Sequence, residues 1–250
     1  MAGFQEMWKK AKVAYEDKTK EPKPSKTFLG IRTGSGIEAS LTALDGAKTP
    51  EQVAKASGDF QKAAKAFAPL VEKRVKEVAA EKDKKRSEVV ATASKALMKA
   101  LGDVEAKVVK DSGAIIDNFI SGKVAEKSKE IAKLNSESVL SHPVYGPMFK
   151  AYMKKTFADE NVDFLLALKA KKNPEAIFKE FVAEKAPRVL NGKGFEKIRD
   201  AKDPNKMMAK PDFSILATAV KQNVSGSFKD FQPIAAKEVE TALKKQFGRK

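Results

Sequence analysis

Apolar residues recur every three or four positions along most of the 250-residue chain, the period of helices that each bury one face. Phe4, Trp8, Ala11 and Tyr15 keep that spacing and predict a first helix from Phe4 to about Lys18. Trp8, the only tryptophan, is expected to dock on the body of the protein. The alternative is a membrane-surface or partner-binding helix, since Lys9, Lys10 and Lys12 lie beside it. Glu21 to Lys26 carries two prolines and reads as an extended linker, with Phe28, Leu29 and Ile31 pinning the next segment down. Gly30, Gly34 and Gly36 do not make a phosphate loop, because no Gly-Lys-Ser/Thr comes after them and no strand precedes. Ser35 to Glu38 reads instead as a capping box for a short helix that Gly46 ends.

Thr49-Pro50-Glu51-Gln52 is a second capping box with proline at the first helical position. It opens a long stripe through Val53, Ala56, Phe60, Ala63, Phe67, Leu70, Val71, Val75 and Val78. Pro69 should kink or split this helix. After the polar run Glu81 to Arg86, a second stripe passes through Val90, Ala93, Leu97, Leu101, Val104 and Val108. The two stripes predict an antiparallel helical hairpin, its second arm weakened at Gly102. A further helix is expected from Ala114 to about Leu134.

In the second half, Met148, Phe149, Tyr152 and Met153 mark one helix and Val162, Leu165, Leu166 and Leu168 the next, with Asp159-Glu160-Asn161 between them. A third comes after Pro174 with Ile177, Phe178, Phe181 and Val182 on one face, and should end near Ala186-Pro187. Asn191-Gly192 makes a turn, a short helix begins at Phe195, and Asp203-Pro204 breaks it. Asp212 to about Val224 and Ala235 to about Phe247 complete the set, interrupted by Gly226 and Pro233. The fold class is therefore all-α.

Four pieces stand in a telling order: SVLSHPVYGPMFKAYM, then Glu160-Asn161-Val162-Asp163-Phe164, then IFKEFVAEKAPRVLN, then DFSILATAV with SFKDF ending at Phe231. That order resembles the RGS domain, the helical bundle of regulators of G-protein signalling, over roughly Ile131 to Pro233. The resemblance implies an RGS-like helical domain over residues 126–250, while the two stripes place a basic helical region with a long antiparallel hairpin over residues 1–125. It also implies a protein-binding domain that holds the switch segments of a Gα-type GTPase and supplies no catalytic base of its own. The partner-binding positions it carries over are Glu160, Asn161 and Asn191. Each has a purely structural alternative. Glu160 is acidic charge near a helix N-terminus, Asn161 a cap, and Asn191 before Gly192 a tight-turn residue.

This chain departs from the family pattern at Leu165, where a tryptophan is usual. Counting back from Phe231, the family's charged contact positions fall on Gly226 and Asp230, so a basic position carries a negative charge. The alternative function is a non-catalytic basic helical scaffold that uses the RGS fold without G-protein activity.

Composition narrows the chemistry. Cysteine is absent and His142 is the only histidine, which excludes thiol chemistry and a His/Cys zinc site. No cofactor is expected, and an enzyme in its own right is the least supported class. His142 is expected to cap or pack locally, and Ser138 and Ser141 lack a nucleophile elbow. The net charge is +16, but only six of the 49 basic residues are arginine and the lysines are spread along every helix. That predicts a solvated positive surface with weak, salt-sensitive binding of anions or nucleic acid, since bidentate phosphate recognition favours arginine. No apolar run approaches the ~18 residues of a membrane helix, and the charged N-terminal stretch does not read as a signal peptide. The expected setting is soluble and intracellular.

Overall fold

The computed structural model describes residues 3–20, 36–81, 83–156, 158–190, 196–199, 206 and 211–249, and every regular element among them is helical. The chain forms two compact units, Met1–Ser121 with Lys244–Lys250, and Gly122–Leu243. No described helix is long and apolar enough to cross a membrane. The expected linker at Glu21 to Lys26, its neighbours Phe28, Leu29, Ile31 and Ser35, and Asp203-Pro204 lie outside the described residues.

In the first unit, helix α1 (Phe4–Thr19) buries Phe4, Trp8 and Tyr15. Trp8 meets Phe67 edge-on at 5.6 Å, so the helix docks on the protein as expected. Helix α2 (Ile37–Asp45) follows Gly36, and Ser35 of the expected capping box lies outside the described residues. A Cβ on Gly36 would lie 2.8 Å from the Ala63 Cβ, so the glycine serves close helix approach. Helix α3 (Pro50–Ala79) does begin with the expected box, Thr49 accepting from the Gln52 amide and Gln52 from the Thr49 amide.

Pro69 neither splits nor ends α3. Both Pro69 and Lys65, whose carbonyl loses its helical donor, face solvent, while Phe67 and Val71 stay buried beside them. On that exposed side the carbonyl is open to solvent, and core burial holds the helix together. Leu70, expected inside, is 36% exposed. The chain breaks before Asp83, whose carboxylate accepts from the Arg86 amide at 3.0 Å and opens helix α4 (Lys84–Ala132). Val53 to Val71 of α3 and Ala93 to Val108 of α4 bury into one cluster, so the chain reverses between them. The second stripe and the helix expected after it are one helix of 49 residues. Gly102 is exposed with open space around it, and its propensity cost of about 1 kcal/mol cannot offset the burial of Leu101 and Val104.

The second unit is built on α5 (Ser136–Leu140), α6 (Tyr145–Lys155), α7 (Asp159–Lys169), α8 (Pro174–Ile177), α9 (Glu196–Arg199) and α10 (Pro211–Gln246). Asn135 caps α5 reciprocally with Ser138. After α8 the chain widens into a π-turn, Phe178–Val182, closed by the Ala183 amide on the Phe178 carbonyl at 2.9 Å. The extended backbone of Ala183 ends the helix before Ala186-Pro187.

Helix α10 is also continuous, through both Gly226 and Pro233. Pro233 and Lys229 face solvent, as Pro69 and Lys65 do. Phe213, Leu216, Val220, Val224, Phe228, Phe231 and Ala235 make its buried stripe. Phe149 of α6 packs on Phe228 at 5.6 Å and Phe231 at 5.2 Å. Phe164 of α7 packs on Phe181 at 5.7 Å and Phe213 at 6.0 Å.

The α3 cap gives a direct test. Thr49→Ala removes one half of the reciprocal pair and should cost about 1 kcal/mol, read as a lower midpoint in urea with unchanged helical circular dichroism. An unchanged midpoint would mean the cap contributes nothing.

Candidate functional site

Two of the three predicted contact residues, Glu160 and Asn161, fall on the first turn of α7, which begins at Asp159. Ala158 precedes the helix without a side-chain cap, and its amide bonds back to the Met153 carbonyl of α6 at 2.9 Å. Asn161 is inside the helix and is not its cap. Its side-chain amide donates to the Glu160 carboxylate at 3.2 Å and to the Ala158 carbonyl at 3.5 Å. Both residues are half-buried. Burial pushes the Glu160 carboxyl above the usual carboxylate range. A local backbone bond opposes the shift, and the charges of Asp159 and Asp163 add to it. Here loss of water outweighs the favourable end of the helix.

One turn on, Asp163 is 9% exposed inside the apolar run of α7. Its two oxygens take different partners: Lys150 of α6 at 2.7 Å and Arg188 at 2.6 Å. Arg188 also lies 3.7 Å from Glu180, which Lys172 approaches at 3.4 Å. Backbone bonds reinforce the arrangement, from the Arg188 amide to the Glu180 carbonyl at 3.1 Å and from the Leu190 amide to the Phe181 carbonyl at 3.0 Å. The charged cluster thus ties α6, α7 and the stretch after the π-turn together around one buried carboxylate.

Asn191 lies outside the described residues. Gly226 and Asp230 are exposed on α10. His142 packs locally: its Nδ1 accepts from the Tyr145 amide at 3.2 Å, its ring stacks on Tyr145 at 4.6 Å, and its Nε2 lies 3.5 Å from Glu130. Among the described residues no three His, Asp or Glu side chains gather as metal ligands. Sequence reasoning missed Asp163, Lys150 and Arg188 as a unit. The signal was a carboxylate between Val162 and Phe164, where a buried charge must find a partner.

No protein-family model matches the chain, and no curated protein and no solved structure does either.

Removing the shared carboxylate should hurt more than removing either cation. Asp163→Ala leaves two cations facing each other and should cost on the order of 1–3 kcal/mol. Arg188→Gln should cost under about 1 kcal/mol, because half-exposed Lys150 still holds Asp163. Equal losses in chemical denaturation would dissolve the shared-carboxylate account.

Glu160 predicts a pH effect. Its folded pKa is raised, so its contribution is most favourable below the unfolded value of about 4.3 and is lost as pH rises through the folded one. Glu160→Gln should therefore match the parent Tm in acid and exceed it near neutrality. A Tm deficit at neutral pH would show that the charge stabilises this turn.

Proposed function

We propose that residues 122–243 form an RGS-like protein-binding domain that engages the switch segments of a Gα-type GTPase. The observation that carries this reading is the polar edge of α7. Glu160 and Asn161 are held to each other and remain partly exposed. Two residues beyond Asn161, Asp163 anchors Arg188, three residues before Asn191. The Asp163–Arg188 bond links α7 to the described stretch that runs up to Leu190, and this supports the reading that the two segments share a surface.

A carboxamide at this edge offers both a donor and an acceptor to a partner's backbone. The domain acts by holding the partner's own catalytic groups and attacking water in place, which needs no base from this chain. Glu160, desolvated and paired with Asn161, orients that amide. The exposed Asp230 presents negative charge from α10 where the family usually presents positive. Partner choice would accordingly differ from that of a typical family member.

A panel of Gα subunits loaded with GDP and aluminium fluoride tests the proposal. Binding should require fluoride. Asn161→Ala and Asn191→Ala should each weaken it by at least about tenfold, while stability changes by no more than about 0.5–1 kcal/mol. Absence of fluoride-dependent binding across the panel would reject the Gα reading and leave the basic helical scaffold.

A further inference from the structure

Helices α5, α7 and α10 enclose a cleft of about 360 Å³ that plays no part in the polar edge of α7. Its walls are Leu140 of α5, Leu165, Leu166 and Leu168 of α7, and Ala217 of α10. Leu140, Leu166, Leu168 and Ala217 pack against the core of the unit and yet stay only partly buried. On α10 the cleft is lined by Ala217, which offers it only a methyl group. The neighbours of Ala217 in the buried stripe are Phe213, Leu216 and Val220, and a methyl group is small beside them.

The mouth of the cleft is charged. Lys169 donates to the Ser141 hydroxyl at 2.6 Å, a neutral partner, and among the described residues no carboxylate pairs with it. Lys221 lies 3.1 Å from Glu137, in a pair whose side chains are 54% and 63% exposed. Such a pair is worth little and yields readily to a competing anion. The cleft joins an apolar wall to a mouth of two ammonium groups and one carboxylate, Glu137, which also lines it and gives up Lys221 to a competing anion.

We propose that this cleft is a binding site for a small amphiphilic carboxylate, its alkyl chain lying on Leu140, Leu166 and Leu168 and its head group held by Lys169 and Lys221. The volume supports a small ligand. It sits at the lower end of the ~300–1,000 Å³ range of small-molecule sites, whereas an amphipathic helix needs a groove several turns long. Binding removes leucine surface from water and gives Lys169 the counter-charge it lacks.

Calorimetric titration of the full chain with decanoate, below its micelle concentration, tests this. One decanoate should bind saturably per chain, with 1-decanol at least about tenfold weaker because it carries no charge. Ala217→Leu fills the cleft and should abolish binding with Tm unchanged or raised. Lys169→Gln alters only the mouth and should weaken binding by about tenfold. Should Ala217→Leu fail to fold, the Lys169 variant alone decides. Decanoate binding that survives Lys169→Gln would overturn the proposal, as adsorption elsewhere on a chain of net charge +16. No binding at all, or decanol binding as tightly as decanoate, would overturn it too.

Discussion

The second unit depends on the burial of one stripe of α10. From Phe213 to Ala235 its inward residues keep helical spacing without a gap, and each of the other main elements contributes a large side chain against them. Phe149 packs against both Phe228 and Phe231, and Phe164 joins Phe181 to Phe213. Fully burying one such side chain is worth about 1.5–3 kcal/mol. That outweighs an exposed Gly226, at about 1 kcal/mol, and with several such side chains also Pro233, at about 3 kcal/mol. The helix stays whole because its inner face is fully used, while its breakers all lie on the outer one.

Helix α7 carries the opposite problem. Val162, Phe164, Leu165 and Ala167 are all buried, so the helix is enclosed on more than one side. A carboxylate in such a helix has little access to water, and Asp163 is tolerated because two cations reach it from α6 and from the stretch after the π-turn. This pairing gives α7 two distinct ends. The N-terminal turn is polar and partly exposed, Asp163 one turn on is held by its two cations, and the C-terminal turns present leucines toward α5 and α10.

Local causes were legible in the sequence and distant ones were not. The Thr49 cap, the docking face of α1 and the short α6 could be read because each depends on residues within a few positions of one another. Pro69, Gly102, Gly226 and Pro233 misled for the same reason. Their propensities describe an isolated helix, and in this protein the packing of residues far away in sequence overrides them. The polar start of α7 marked Glu160 and Asn161 as candidates. The charges beside them were hidden, because Lys150 and Arg188 lie 13 and 25 residues from Asp163 and meet it only in the folded unit.

The position of α10 has a consequence for how the protein emerges from the ribosome. Phe149, Phe164 and Phe181 are synthesised well before Phe228 and Phe231, the latter 82 residues after Phe149. At the usual ~5–20 residues per second, that interval lasts roughly 4–16 s. In its course the nascent chain completes Phe149, Phe164 and Phe181, half of the aromatic core, while Phe228 and Phe231 are still to come. Helices α5 to α8 can form but cannot settle, which makes this window the natural point for a chaperone to engage the chain.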